Sequence, residues 1–236
     1  PMKEGECFIN EDQAMLMKVE LVGLTQPSVT TDCNSASELV AWAARVSNPE
    51  NQNNKETAPK LLKYLIKNEH WSPFEMVSIQ MSITTTRDIS RQIIRHRTFS
   101  FQEFSQRYSE APDLQYTRKA RLQDTKNRQN SIELDLSLEG MPELVNKWEE
   151  LQQDVIYTCG RAYDWAIENG IAKEVARKVL PEGLTVSRLY VNGTLRSWIH
   201  YIDLRDGNGT QKEHMQLALE CAKAISQAFP MTTKLI

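Results

Sequence analysis

One stretch in the middle of the chain, residues 95–108, combines cations, a carboxylate, hydroxyl groups and aromatic rings in the sequence RHRTFSFQEFSQRY. Arginine guanidinium groups bind phosphate through paired hydrogen bonds and also stack on flat rings. Three phenylalanines are unusual in a solvated charged segment, and three arginines are unusual in a segment of the core. The stretch is therefore typical of a pocket that holds an anion and a flat ring together.

The preceding segment predicts the helix that would position this stretch. Between Arg87 and Ile94 (RDISRQII), isoleucines recur at spacings that let them face a core. If the helix continues, Gln92 and His96 lie four residues apart on one face. We therefore expect it to deliver Gln92, Arg95 and His96 to a shared site, while residues 99–108 leave it as a loop or an extended segment.

Two simpler interpretations of the basic residues stay open. Cations at the end of a helix complement its negative dipole, which would explain the Arg-His-Arg triplet alone. Alternatively, residues 95–107 could belong to a nucleic-acid-binding module, supported by basic residues within a polar loop predicted over residues 109–130. A net charge of -3 and the absence of an aromatic ladder in that loop give this alternative little support.

The longer pattern resembles the signature of the flavin-dependent thymidylate synthases. In that signature an RHR triplet, here residues 95–97, is followed by seven residues and a serine, here Ser105. Similar segments occur in the family's order over about residues 38–228. They are H-x-S-x-x-E at residues 70–75, A-R-x-x-L-P at 176–181, T-x-R-x-x-x-H-x-x-x-x-R at 194–205 and Q-x-E at 211–213.

The resemblance implies an activity: reductive methylation of dUMP to dTMP, with methylenetetrahydrofolate as the one-carbon donor. Hydride would come from reduced FAD, regenerated by NADPH, without an enzyme nucleophile. The implied catalytic residue is Arg205, which would stabilise the ionised N3 of uracil. The implied dUMP contacts are Gln92, Ile93, Ile94, Arg95, Glu103, Phe104, Ser105, Gln106, Arg107, Arg177 and Arg205. The implied FAD contacts are Ser72, Arg95, His96, Arg97, Glu103, Thr194, Leu195, Arg196 and His200.

Two positions depart from the family's usual pattern, because Gln102 stands where asparagine is common and Gln106 where a small residue is common. The cysteines agree with a reaction that uses no enzyme nucleophile. None of Cys7, Cys33, Cys159 and Cys221 follows a proline or lies in an arginine cluster that would lower its thiol pKa.

Cysteine and histidine spacing bears on metals and on the cellular compartment. There is no CxxC or HxxxH spacing, so we predict neither a disulfide framework nor a protein-bound metal, and we expect a cytoplasmic protein, in the host cytoplasm if it is viral. A competing class, a flavin-free nucleotide hydrolase, would need clustered carboxylates for its metal, and none occur at ligand-like spacing.

Composition and periodicity predict the fold class. The chain has 236 residues, of which 40% are hydrophobic and 25% charged, and no apolar run approaches the roughly 20 residues that span a bilayer. Strands are predicted at residues 18–24, 76–85 and 184–192, and helices at 36–47, 57–68, 87–94, 142–169, 171–180, 194–205 and 211–229. This pattern favours an α+β fold with a small antiparallel or mixed sheet flanked by helices.

We also predict the domain organisation. Residues 1–16 are expected to form a disordered lead-in, and residues 17–236 a single domain without membrane or nucleic-acid partners. No GxGxxG loop is present, so a flavin would not be bound in the Rossmann manner. The family resemblance implies instead a homotetramer with active sites at the subunit interfaces.

Overall fold

The structure, a computed structural model, describes residues 17–111, 114, 117–207 and 209–230. Its strands are β1 (Lys18–Leu24), β2 (Ser78–Thr86), β3 (Ser100–Glu103), β4 (Arg121–Gln123), β5 (Ser131–Glu133) and β6 (Val186–Thr194). Its α-helices are α1 (Ala36–Ala44), α2 (Ala58–Lys67), α3 (Arg87–Ile93), α4 (Met141–Glu168), α5 (Lys173–Ala176), α6 (Leu195–Arg205) and α7 (Lys212–Ala228). Short 3₁₀ turns are at Pro49–Asn51, Ser72–Met76 and Arg177–Val179.

A four-stranded sheet in the order β1-β2-β6-β3 lies at the centre of the fold. Each pairing in it is antiparallel, and β2 pairs with β6 along its whole length, from Ser78 opposite Thr194 to Thr86 opposite Val186. The predicted α+β class is confirmed, and of the two sheet types expected the structure has the antiparallel one. The predicted lead-in at residues 1–16 lies outside the described residues.

The hydrophobic core lies on one face of this sheet. Ile79, Met81 and Ile83 of β2 alternate with outward-facing residues and are fully buried, as are Leu189 and Val191 of β6. Burying a side chain of this size contributes about 1.5–3 kcal/mol. Residues from α1, α2, α6 and α7 complete the same cluster, so helices cover the inner face of the sheet.

Two strands pass directly into helices without a loop. Thr194 is both the last residue of β6 and the N-cap of α6, where its side chain accepts a hydrogen bond from the backbone N–H of Ser197 at 3.2 Å. This confirms the predicted cap. Thr86 has the same place between β2 and α3, although its side chain makes no capping bond to α3. Both helices therefore start at positions fixed by the sheet.

The predicted continuation of α3 through His96 is wrong. The helix ends at Ile93, and two tight turns follow, in which His96 N–H bonds the carbonyl of Ile93 at 3.0 Å and Phe99 N–H bonds that of His96 at 3.2 Å. The physical reason lies further along the chain. Phe99 is buried and packs on Trp198 with ring centroids 4.5 Å apart, which draws the chain back to the core and into β3.

The long helix α4 exposes much of its predicted apolar face. Trp148, Leu151, Val155 and Trp165 are 43%, 45%, 44% and 60% exposed, so they do not belong to the core of this chain. The sequence prediction for this apolar face was either a place in the core or a subunit interface, and the second stays a prediction. The helix is anchored instead by a small second cluster, where Tyr163 and Ala166 pack near α5.

The predicted helix at residues 171–180 is present only as α5 and the adjoining 3₁₀ turn Arg177–Val179. The polar loop expected over residues 109–130 also differs, since it contains β4, which pairs with β5. Within it, Arg118 donates to both carboxylate oxygens of Asp88, at 2.7 and 2.9 Å, and Arg121 bonds Glu213 at 2.7 Å. Both arginines are bound inside the fold, whereas a solvated loop was predicted for this segment.

Candidate active site

The last residue of α6 meets the central motif directly. Arg205 Nε donates to His96 Nε2 at 3.0 Å, joining residues 109 positions apart in the sequence. Burial, and then the charge of Arg205, lowers the pKa of His96 to about 4. His96 is therefore neutral at pH 7, accepts through Nε2 and carries its proton on Nδ1. The contact aligns the guanidinium and leaves its two terminal nitrogens without a hydrogen-bond partner among the described residues.

Gln92, on the last turn of α3, belongs to a buried polar network beside this contact. Its Nε2 lies 2.6 Å from Gln211 Oε1, and its Oε1 lies 3.1 Å from His214 Nδ1. His214 Nε2 is in turn 3.0 Å from the hydroxyl of Tyr201, whose ring packs edge-on against His96 at 4.9 Å. The structure thus brings Gln92, His96 and Arg205 together. The sequence prediction was that α3 delivers Gln92, Arg95 and His96 to a shared site, but α3 ends before His96, and Arg95 is exposed.

Glu103, at the end of β3, is held by side chains from several elements. Its Oε1 accepts hydrogen bonds from Ser90 Oγ at 2.7 Å and Ser187 Oγ at 2.8 Å, and its Oε2 lies 3.2 Å from Arg91 Nη1. Arg87 Nη1 is 3.9 Å away. Burial opposes ionisation of Glu103, but the two serine hydrogen bonds and the charges of Arg91 and Arg87 hold its pKa below the usual range. The carboxylate is consequently ionised and already surrounded by donors.

Sequence reasoning missed most of these partners. Ser187 could have been recognised, because it lies on the inward face of β6 two residues before the buried Leu189, and a hydroxyl at such a position requires a polar partner. Arg87 and Arg91 share a helix face at a spacing of four. Nothing in the sequence indicated that His214 is fully buried, since its spacing within α7 looks like that of any core position.

A second group of predicted residues meets at the other end of β6. Arg196 Nη1 bonds Glu75 Oε1 at 2.8 Å, and Arg196 Nε lies 3.4 Å from His200 Nε2. Burial raises the pKa of Glu75, but hydrogen bonds with Thr194 and Arg196 outweigh it and leave the pKa lowered. The Trp71 ring lies 4.5 Å from that of His200. Ser72, the next residue, is exposed and begins the 3₁₀ turn, so the predicted FAD contacts Ser72, Thr194, Arg196 and His200 share one region.

Other predicted contacts are less gathered. Arg95 and Arg97 are exposed and form no ion pair with any described residue. Arg107 pairs with Glu174 at 3.3 Å on the surface, where both side chains are more than half exposed. Arg177 is half-buried and lies close enough to Arg87 to lower the pKa of that guanidinium, after the larger effect of burial.

Three predicted residues are buried. Ile93 and Leu195 are 1% exposed in the core, so only their backbones could meet a ligand. Gln106 is 4% exposed, and its Nε2 has no partner among the described residues. Ser105 and Phe104 are half-buried beside it, while Ile94 is half-buried after α3.

The described part of the chain offers neither a metal-binding cluster nor a helix that could span a membrane. No group of three or more histidine, cysteine, aspartate or glutamate side chains is arranged to hold a metal ion. None of the described helices combines the length and the apolar character needed to cross a membrane.

This α+β fold holds arginines where strands β2 and β6 pass into helices α3 and α6. Comparison with known families is more specific, because residues 28–231 match the family described as thymidylate synthase complementing protein. The chain therefore belongs to the flavin-dependent thymidylate synthases, which confirms the resemblance drawn from its motifs.

Relatives match over nearly the whole chain. A probable flavin-dependent thymidylate synthase of Paramecium bursaria Chlorella virus 1 is 46% identical over 219 residues, which cover 92% of this chain and 98% of the relative. The flavin-dependent thymidylate synthase of Synechocystis sp. is 45% identical over 217 residues, covering 91% and 96%. Among solved structures, the UMP/dUMP methylase PolB from Streptomyces cacaoi, bound with 5-Br dUMP, is 28% identical with a TM-score of 0.72 and covers 93% of each chain.

Proposed function

We propose that this chain converts dUMP to dTMP by reductive methylation, with methylenetetrahydrofolate as the carbon donor, FAD as cofactor and NADPH as reductant. Family membership supports the reaction class. The structural observation that carries the proposal is the contact between Arg205 and His96, because it unites the RHR motif with the arginine that ends the T-x-R-x-x-x-H-x-x-x-x-R segment.

Arg205 is the catalytic residue of this proposal. Methylation at C5 requires negative charge to build up on the uracil ring, and a fixed guanidinium stabilises such charge best when it is already oriented. His96 provides the orientation by accepting from Nε, while the terminal nitrogens remain available to the ionised N3 and an adjacent carbonyl oxygen. Because His96 is neutral at pH 7, it adds no competing positive charge.

The nucleotide phosphate would be bound by Arg95, Arg107 and Arg177. Arg95 has no carboxylate partner among the described residues, so it has no internal bond to give up. The surface pair between Arg107 and Glu174 is worth about 0–1 kcal/mol and can exchange for a phosphate. Glu103, whose carboxylate is fixed by four side chains, would accept from a hydroxyl of the sugar.

The residues of this chain fit a flavin dinucleotide. Arg95 and Arg97 supply guanidinium groups without internal partners for the pyrophosphate. Ser72, Thr194, Arg196 and His200 surround a second region with hydroxyl, guanidinium and imidazole groups, and Trp71 lines it with an aromatic ring. Reduced flavin supplies hydride when it is bound, and the protein's part is to hold the cofactor next to the uracil ring.

No cysteine needs to attack the substrate in this mechanism. Burial raises the thiol pKa of Cys221 far above its usual range, and it also raises that of Cys33. Neither thiol is therefore activated as a nucleophile. Cys33, Cys159 and Cys221 are free, which supports a cytoplasmic, reducing setting.

A homotetramer would complete the site. The exposed tryptophans, leucine and valine of α4 provide an apolar surface that a neighbouring subunit could cover. A groove of about 880 Å³ runs between α4 and the region of α5, lined by Trp165, Ile171, Val175 and Val179. Its position next to Arg177 supports a subunit boundary close to the nucleotide.

The test combines a spectrum with an assay. Purified protein is expected to be yellow, tetrameric in solution and able to form dTMP from dUMP only when methylenetetrahydrofolate and NADPH are both present. A Cys33→Ser variant should keep this activity, because no thiol takes part. A colourless monomer that takes up no FAD and makes no dTMP would overturn the proposal.

A further inference from the structure

An unbroken chain of hydrogen bonds runs from a buried ion pair to the site. Glu213 Oε2 lies 3.0 Å from Gln211 Nε2, and Gln211 Oε1 lies 2.6 Å from Gln92 Nε2. Gln92 Oε1 is then 3.1 Å from His214 Nδ1, and His214 Nε2 is 3.0 Å from the Tyr201 hydroxyl. Of these groups, His214 and Tyr201 are the most buried, at 0% and 2% exposure.

The carboxylate of Glu213 determines which group donates and which accepts in each of these hydrogen bonds. Burial opposes ionisation of Glu213, but the charge and hydrogen bond of Arg121 at 2.7 Å hold its pKa below the usual range, so its oxygens only accept. Gln211 must therefore turn its amide nitrogen to Glu213 and its oxygen to Gln92. Gln92 must in turn donate to Gln211, which leaves its own oxygen facing His214.

The tautomer of His214 follows from that arrangement. Because Gln92 Oε1 can only accept, His214 must carry its proton on Nδ1, and its Nε2 then accepts from the Tyr201 hydroxyl. The reverse arrangement would place two acceptors in contact in a buried site, which costs about 1–3 kcal/mol for each unsatisfied group. The low pKa of His214, about 3, caused first by burial and then by the charges of Arg205 and His96, agrees with a neutral ring.

The Gln92 side chain can consequently act toward a ligand only as a hydrogen-bond donor. Its oxygen is occupied by His214 and one N–H by Gln211, while its second N–H has no acceptor among the described residues. We propose that His214 and Tyr201 are positioning residues that hold the Gln92 carboxamide as a hydrogen-bond donor to an oxygen of the bound nucleotide. This inference rests on the proposed function, because it takes the occupant of the site to be a deoxyuridine nucleotide.

The acceptor oxygens of the nucleotide fall into two groups: the C4 carbonyl of uracil, and oxygens that dCMP shares, such as those of the C2 carbonyl and the phosphate. They differ in what they predict for dCMP, in which an amino group replaces the C4 carbonyl. A donor aimed at that carbonyl would discriminate against dCMP, whereas a donor aimed at the phosphate would bind both nucleotides alike. Either contact needs the same fixed orientation of the Gln92 amide.

The experiment measures binding of dUMP and dCMP to the flavin-loaded protein by calorimetry. His214→Leu removes the donor to Gln92 Oε1, so Gln211 alone holds the amide and dUMP is expected to bind about tenfold more weakly. His214→Asn puts an amide nitrogen close to the position of Nδ1 and should restore affinity to within about threefold of wild type. Leu217→Ala, one turn along α7 in the same core, is the matched control, which lowers stability without changing dUMP affinity.

A second measurement, which does not depend on ligand binding, keeps the proposal testable if His214→Leu does not fold. Nitrogen-15 NMR of histidine-labelled wild-type protein should show His214, identified by the signal lost in His214→Asn, with a protonated Nδ1 and an unprotonated Nε2. Tyr201→Phe, which removes only the hydroxyl, should weaken dUMP binding by about two- to threefold.

Each outcome has a defined meaning. An unchanged dUMP affinity in a folded His214→Leu protein, an equal loss in Leu217→Ala, or a proton on Nε2 would overturn the positioning role. A weakened dUMP affinity supports it, with a changed ratio of dUMP to dCMP affinity indicating the C4 carbonyl and an unchanged ratio indicating the phosphate or another oxygen that dCMP shares. Wild-type protein that binds no dUMP at all would refute the proposed function itself.

Discussion

Two groups of arginines in the segment that leads to β3 differ in how their charge is balanced. Arg87 and Arg91 face Glu103, which also receives hydrogen bonds from two serines, and Arg91 pairs in addition with Glu182, so this group is neutralised within the chain. Arg95 and Arg97, only a few residues further on, are exposed and pair with no carboxylate in the described part of the chain. The two groups come from one continuous segment, yet only the first is complete without a ligand.

The difference separates structural charge from binding charge. An arginine that already has a carboxylate partner contributes to the fold, and removing the partner leaves a costly unpaired charge. An exposed arginine without a partner contributes little to folding and remains available to an anion. Internal partners are therefore a better guide to function here than the density of basic residues in the sequence.

The largest expected effect is on catalysis. Arg205→Ala should lower dUMP-dependent turnover by at least about 100-fold, because it removes an oriented guanidinium that acts on charge in the transition state. Flavin content should stay normal, since Arg205 is not among the predicted FAD contacts. Turnover is measured as dTMP formed per bound flavin, and near-normal turnover in this variant would refute the catalytic assignment.

A matched pair of variants tests the contrast between the two groups. Glu103→Ala should lower the free energy of unfolding by about 3 kcal/mol, because Arg87 and Arg91 lose their partner in a mostly buried site. Arg95→Ala should change it by less than about 0.5 kcal/mol. Urea unfolding of the ligand-free proteins measures both values. Equal losses in the two variants would show that the internal partners do not distinguish the groups.

A smaller effect is expected where the sheet supports the turn between α3 and β3. A Cβ added at Gly193 would lie 2.2 Å from Phe99 Cδ1, so Gly193→Ala must displace the ring. Overpacking of this kind costs about 1–3 kcal/mol. Gly160→Ala is the control, because nothing lies within 4 Å of its Cβ and alanine favours the α4 helix. Thermal unfolding should move in opposite directions for the two variants.

The smallest expected effect is a dependence of stability on pH. His96, with a pKa of about 4, stays neutral in the folded chain while the unfolded chain takes up a proton near the ordinary value of about 6.5. The unfolded state therefore binds more protons between these values, and stability falls as the pH drops from 7 to 5. His96→Asn should reduce this slope in urea titrations at the two pH values, and the slope that remains includes the contribution of His214, whose pKa is also low. An unchanged slope would contradict a neutral, buried His96.

Local pattern was enough to predict much of the fold. Strands β1, β2 and β6 and helices α1, α2, α4, α6 and α7 occur within three residues of their predicted ends, because alternation and helical periodicity are local properties. The end of α3 was predicted to within one residue, but the turns that follow it were not, because they depend on Phe99 packing against Trp198, a contact between distant parts of the chain. The short strands β4 and β5 were missed because three residues with a single apolar side chain carry almost no periodic signal.

The candidate site shows the same division. The RHR motif and the arginine at the end of α6 were identifiable from residue types and spacing, and the structure joins them at His96 and Arg205. The partners of Glu103 were not identifiable, since Ser187 is 84 positions away and reaches the carboxylate only through the register of β6. Whether Arg107 and Arg177 share an anion with these groups stays a prediction, which the assembled, ligand-bound protein can test.

The two helices that meet at the site start from opposite ends of one strand pair, since Thr86 is aligned with Val186 and Thr194 with Ser78. The position at which the two helices meet is consequently set by the hydrogen-bond register between β2 and β6. A slip of two residues, the smallest that keeps the same side chains facing inward, would shift one helix past the other by roughly 7 Å. The pairing of β2 with β6 therefore sets the distance between the two helices at the pocket. An insertion within either strand would change that distance even if every pocket residue stayed the same.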